Sequence, residues 1–213
     1  MISPTKKIAI IDYGAGNLHS VMAALKRIAH EDSLLLTSKA SDLQNTSHII
    51  LPGVGAFADC MNGLCALKGM REELNKQVLE NKIPFLGICV GMQMMLEYGY
   101  EHGKHQGLGW IKGSVRSMDS KNGKLKIPHM GWNNLLLDNP QHPLLKNIHE
   151  GEHAYFVHSY HAICENPQEV IASTEHGEKI TAIIAQDNLY GTQFHPEKSQ
   201  KLGDKILTNF LNI

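Results

Sequence analysis

Four short runs in the first half of the chain, "KKIAIIDY", "SLLLTS", "HIILPG" and "IPFLGI", have apolar centres without alternation. A strand with one wet face alternates apolar and polar residues, whereas a strand covered on both faces reads as a continuous apolar run. Such strands belong to parallel sheets with helices above and below, so these runs restrict the chain to α/β architectures. The segments between them agree. Leu18, Val21, Met22, Leu25, Ile28 and Ala29 recur at helical spacing behind Asn17, a favourable N-cap. Residues 56–81 read as mostly helical, and "VGMQMMLEYGY", directly after the fourth run, reads as a helix apolar nearly all round. Strand, helix, strand and then strand–turn–helix is the order of a doubly wound sheet.

Beyond Gly107 the texture changes. "GLGWIKGSVRSM", "KLKIPHMGWN", "AYFVHSYHAI", "EVIASTEH", "ITAIIAQD" and "LYGTQFHPE" are strand-like with turns between them. The closing segment "SQKLGDKILTNFLNI" carries a helical stripe through Leu202, Ile206, Phe210 and Ile213. The predicted fold is α/β: a single domain over residues 1–213 with a mostly parallel doubly wound sheet. Antiparallel strands are added by the C-terminal half, and helices lie on both faces. At 213 residues, 42% hydrophobic and 19% charged, the chain suits one such domain with a sizeable core. A net charge of −1 favours neither nucleic acid nor an anionic membrane as partner. The local basic cluster Lys121, Lys124 and Lys126 reads as a solvated hairpin. "MISPTKKIAIIDYG" reads as a first strand and not as a signal peptide, and no stretch is long enough to span a bilayer. Four cysteines without a Cys-x-x-Cys pair fit reduced thiols in a cytoplasmic protein, and thirteen histidines without ligand spacing imply no metal.

"PFLGICVGMQMML" raises a sharper question, because it sets Cys89 between glycines where a strand turns into a helix. A strained strand-to-helix turn pushes its central side chain out of the sheet's end and crowds its neighbours, as in the Gly-x-Ser-x-Gly nucleophile elbow. The helix N-terminus beneath it would favour thiolate, and the Val90 amide would point at a developing oxyanion. The competing reading is a core cysteine among packing glycines. A nucleophilic thiol needs a base with an orienter. In "YGTQFHPEKS", His195 and Glu197 stand two apart at a strand end and so project to one side. Alone, that tripeptide reads as a surface turn; paired with a cysteine elbow in a parallel sheet, it reads as base and orienter. In "LPGVGAF", the glycines around Val54 allow a loop whose amides line a small anion, or simply a turn.

Taken together, "PGVGAF", "LGICVGMQ", "YFVHSY" and "GTQFHPEKS" resemble the class I (triad) glutamine amidotransferases over essentially the whole chain. "DYGAGNLHSV" and "IPHMGWN" look, more narrowly, like the glutaminase subunits of imidazole glycerol phosphate synthases. The resemblance implies that Cys89 attacks the side-chain amide of L-glutamine, His195 protonates the departing ammonia, and Glu197 holds the His195 tautomer. It implies an oxyanion hole from Val90 and the Gly53–Val54 loop, which turns a peptide inward only in the active state. Gly55, Gln93, Glu101 and the backbone at Ser159 and Tyr160 would bind glutamine. "EYGYEHG" departs from the family's usual turn at Glu101. No cofactor is implied. The implied partner is a β/α-barrel cyclase, bound as a heterodimer through a face that includes Asn17, Trp132 and Lys198. For Trp132 the alternative reading is a core tryptophan. The same motifs would serve a paralogue feeding ammonia to a surface-sugar amidation enzyme. A non-catalytic binding domain is the remoter alternative, which an intact Cys89, His195 and Glu197 set argues against.

Overall fold

The four apolar runs are strands: Ile8–Ile11 (β1), Leu34–Thr37 (β2), His48–Gly53 (β3) and Phe85–Cys89 (β4). The protein is represented by a computed structural model that describes residues 7–123 and 125–213, so Lys124 of the basic cluster lies outside the described residues. Every residue of β1, β3 and β4 is buried, whereas β2 is partly exposed because it forms the sheet edge. The first helix, Leu18–Lys26 (α1), starts where Asn17 accepts the Ser20 amide at 3.4 Å. Residues 56–81 hold Phe57–Ala66 (α2), Met70–Asn75 (α3) and a π-helical turn at Lys76–Glu80.

After β4 the chain departs from expectation. The helix there, Val90–Gln93 (α4), is one turn long, and Leu96–Gly99 is a strand (β5), not its continuation. The carbonyls of Met94, Met95 and Leu96 accept the amides of Leu108, Trp110 and Gly109, so the incoming segment takes the groups a longer helix would have used. Gly99 then passes flat against Phe57, where a Cβ would stand 2.6 Å from the ring. A short run that is apolar all round fits a buried strand as well as a helix, so periodicity alone could not separate them.

The second half supplies His105–Gln106 (β6), Ile111–Ser117 (β7), His129–Asn134 (β8), Leu136–Leu137 (β9), His153–His158 (β10), Tyr160–Cys164 (β11), Val170–Glu175 (β12), Lys179–Gln186 (β13) and Leu189–Thr192 (β14). The main sheet runs β2-β1-β3-β4-β14-β13-β12-β9. It is parallel from β2 through β14 and antiparallel beyond. Smaller sheets pair β10 with β8, and order β11-β7-β5-β6. The architecture is therefore the expected mostly parallel α/β sheet with added antiparallel strands.

The last helix, Gln200–Leu211 (α5), buries Leu202, Ile206 and Phe210, together with Leu207 and Leu211. Ile213, assigned to the same stripe, lies past the helix end and is 40% exposed. Gly203 lets α5 settle on the turn at Pro196–Lys198, since a Cβ there would stand 1.7 Å from the Pro196 carbonyl. Among the described residues no helix is long and apolar enough to cross a membrane.

Candidate active site

Cys89 ends β4 with φ 55° and ψ −111°, a conformation that costs an L-residue energy and persists only where its surroundings enforce it. The surroundings do so through two missing side chains. A Cβ on Gly91 would stand 1.9 Å from the Leu51 carbonyl, and one on Gly87 would stand 2.5 Å from the Gly91 carbonyl. The glycines thus let α4 fold back tightly over β3 and β4, leaving the Cys89 side chain at the sheet's carboxyl end. The thiol lines a cleft of about 250 Å³, shared with Val54, Gly55, Val90, Gln93, Glu101, Ser159, Tyr160 and His195. A larger cleft of about 890 Å³, beside His161 and Ser173, contains none of these groups.

His195 arrives from the neighbouring strand, because β14 pairs in parallel with β4. The strand ends at Thr192, so strand alternation does not align His195 with Glu197 as the sequence reading supposed. The Pro196–Lys198 turn brings them together instead, with His195 Nδ1 2.7 Å from Glu197 Oε1 and both side chains almost fully buried. The His195 backbone is clamped as well: its amide donates to Tyr155, and its carbonyl accepts from Ser199 Oγ at 2.7 Å. Burial disfavours a charged imidazole here, but Cys89 and Glu197 more than offset it and hold the His195 pKa up at about 10. The second ring nitrogen, Nε2, is buried and has no partner at normal hydrogen-bond distance among the described residues, although Cys89 is near enough to act on the ring's charge. A sulfur, an imidazole held protonated and a buried carboxylate, in this order, are the parts of acyl transfer through a thioester.

The family profile described as glutamine amidotransferase class-I matches residues 9–213. The chain is 49% identical over 212 residues to the imidazole glycerol phosphate synthase subunit HisH of Brucella suis biovar 1, covering 96% of this chain and 98% of that protein. It is 47% identical over 209 residues to the subunit of the same name from Rhodospirillum rubrum, with the same coverage. This chain belongs to the class I glutamine amidotransferases. Within them it falls among the HisH relatives, whose name marks each as one subunit of a larger synthase. Among solved structures, PurLQS from Thermotoga maritima is similar in fold, with a TM-score of 0.73 at 21% identity over 98% of both chains.

The amidotransferase cleft holds the expected residues in unequal ways. Gly53 does not line it; this glycine is packed beneath, where a Cβ would stand 2.6 Å from the Gly91 amide and 2.9 Å from Tyr13 Oη. Gln93 lines the wall, but its amide nitrogen is already engaged at 3.0 Å with both the Tyr160 carbonyl and Gln193 Oε1. Its oxygen is the end that remains. Glu101 Oε2 accepts the Phe57 amide at 2.7 Å, capping α2 where Ala56 has no side chain to do so. The Ser159 carbonyl accepts from Met118, and the Tyr160 carbonyl also serves His158. With α4 a single turn, the helix dipole behind Cys89 is smaller than the sequence reading supposed, because a macrodipole needs aligned peptides.

Sequence reasoning missed Gln193, whose amide nitrogen stands 3.7 Å from Cys89 Sγ while its oxygen anchors Gln93. The signal was present in "GTQFHPE", two residues before the histidine. It also missed Tyr155, which ties the clamp on His195 to the surface. Trp132, expected on the partner face with a core position as the alternative, is 48% exposed and lies edge-on to Tyr155 at 5.9 Å. Lys198 Nζ sits 5.6 Å from the same ring, and Met130 is exposed nearby on β8. Asn17, the α1 cap, is half-buried at the same carboxyl end of the sheet.

Proposed function

We propose that this chain is the glutaminase subunit of an imidazole glycerol phosphate synthase, acting as one glutamine amidotransferase domain over residues 1–213. The observation that carries the reading is the strained Cys89 turn facing a buried His195–Glu197 pair inside a cleft of glutamine size. Cys89 attacks the carboxamide carbon of L-glutamine. The tetrahedral oxyanion rests on the amides of Val90 and of the Gly53–Val54 loop, donors of a kind whose loss typically slows turnover by about 10²–10³-fold. His195 gives its proton to the leaving ammonia, then takes one from the water that cleaves the thioester to glutamate. Glu197 holds Nδ1 throughout, so Nε2 is the nitrogen that exchanges protons.

Ammonia released at the carboxyl end of the sheet is consumed by a second subunit. Names of relatives at 47–49% identity support a synthase partner, and the exposed Trp132–Tyr155–Lys198 group beside the cleft supplies an aromatic and cationic docking face. The partner we propose is the β/α-barrel cyclase that builds imidazole glycerol phosphate, with an aminoimidazole carboxamide ribotide as companion product. Cys89→Ala tests the reading. Glutaminase activity should vanish while the complex still turns over with ammonium salts. Retained hydrolysis of glutamine would remove Cys89 as nucleophile, and failure of ammonium to rescue would remove ammonia transfer.

A further inference from the structure

The loop from Pro52 to Gly55 is gripped from one side by two buried side chains. Tyr13 Oη donates to the Pro52 carbonyl at 2.8 Å, and Cys60 Sγ donates to the Val54 carbonyl at 3.5 Å. Tyr13 and Cys60 also interact with each other, and Gly63 of α2 presses on the Tyr13 backbone, where a Cβ would stand 2.8 Å away. Burial raises the pKa of both groups, so each remains a protonated donor. Gly53 still pairs in register with Cys89, so the chain is extended up to the loop. In an extended chain, residues two apart present their polar groups to one side, and a residue's N–H points the same way as its own C=O. The Pro52 and Val54 carbonyls therefore place the Val54 amide on the Tyr13–Cys60 side, away from β4 and the Cys89 thiol.

We propose that Tyr13 and Cys60 form a latch that holds the oxyanion loop in a silent orientation, making them positioning residues that set the resting glutaminase rate. The proposal rests on the glutaminase reading above. Turning only the Gly53–Val54 peptide would force a β-branched residue to positive φ, which is strongly disfavoured. The cheaper movement turns Val54 as a whole between its two glycines, and that takes its carbonyl off the Cys60 thiol. Gly55 already sits at φ 104°, within the range that only glycine adopts freely. Glu101, bonded to Phe57 at the far end of the same loop, faces the cleft and so fixes the hinge beyond Val54.

Cys60→Val, near-isosteric and without a donor, should raise kcat of the free chain about two- to tenfold, the range that one modest hydrogen bond supports. KM should stay within about twofold, because a population shift of the loop changes the competent fraction and not the glutamine contacts. Tyr13→Phe should act in the same direction, while Cys60→Ser keeps a donor and should remain as silent as the wild type. The Val54 and Gly55 amide resonances of a labelled chain read the loop's orientation without catalysis, and should shift in Cys60→Val. Unchanged resonances in a variant with wild-type thermal stability overturn the latch even if glutamine is hydrolysed normally. An unchanged or lowered free-chain kcat in Cys60→Val overturns it too. A wild-type complex inert toward glutamine, with shifted resonances in the variant, instead removes the glutaminase reading and leaves the latch standing.

Discussion

Replacing Trp132 by alanine separates an interface anchor from a core residue, and the expected size of the effect follows from its surroundings. The side chain is 48% exposed and touches Tyr155 edge-on at a centroid distance of 5.9 Å. A tryptophan presents roughly 250 Å², so covering the exposed half removes about 120 Å² from water. At about 25 cal/mol per Å² that corresponds to about 3 kcal/mol. Ordering of the ring at the interface offsets part of it, leaving about 2 kcal/mol, the level of an aromatic hot spot. The proposed cyclase should therefore bind Trp132→Ala roughly 30-fold more weakly. The half already covered in the free chain is lost as well, about 130 Å² or up to about 3 kcal/mol, which lowers the melting temperature by about 6–12 degrees. Titration calorimetry with the partner and thermal melts of the free chain read the two numbers. Affinity within about threefold of wild type would refute the reasoning, whatever the melting temperature.

Glu197→Gln keeps the volume but removes the charge 2.7 Å from His195, so kcat should fall by about 10²–10⁴-fold, and the alkaline limb of the pH–rate profile should move down from near 10. Unchanged kinetics would exclude the pair from catalysis. Burial holds His158 at about 3 and His129 at about 4, below an unfolded value of about 6.5. The unfolded chain therefore binds more protons in between, so the contribution of these two histidines should be constant above pH 6.5 and stability should already decline between pH 6.5 and 5; denaturant midpoints that hold constant over that interval would contradict this. His195, raised instead, adds stability that is complete below pH 6.5 and is lost as pH climbs toward 10. Gly91→Ala places a methyl 1.9 Å from a backbone carbonyl and should cost more than about 3 kcal/mol by overpacking. Gly55→Ala meets no atom within 4 Å but sits at φ 104°, so strain alone should cost about 1–2 kcal/mol; equal losses in the two variants would overturn both explanations.

The parallel half of the sheet was legible because burial on two faces leaves an unalternating apolar signature, and β1, β3 and β4 carry it without a polar residue pointing outward. The elbow was legible because its glycines are demanded by contacts that any substituent would violate. The α4–β5 junction was not. Met94 and Met95 are apolar in either conformation, and what ends the helix is a set of amides from Leu108 to Trp110, distant enough in sequence to leave no local mark. Likewise, nothing near "GVGAF" announces that Tyr13 and Cys60 hold its carbonyls, or that Glu101 caps the helix after it. Side-chain to backbone bonds between remote segments depend on the completed fold. Periodicity and motif spacing record only what neighbours in sequence do.

The central position of β14 has a consequence for synthesis. Its place between β4 and β13 is taken by residues that follow Cys89 by about a hundred positions. At about 5–20 residues per second, roughly 5–20 seconds separate translation of β4 from that of its second neighbour. Throughout that interval Phe85–Cys89, apolar and flat, offers a bare edge to any other nascent strand. Its thiol meanwhile has no histidine beside it, since His195 is translated just after β14. Closing the sheet and bringing His195 beside the cysteine are thus nearly one event, so on the glutaminase reading proposed above an incomplete ribosomal product is inert toward glutamine while it is most prone to aggregate.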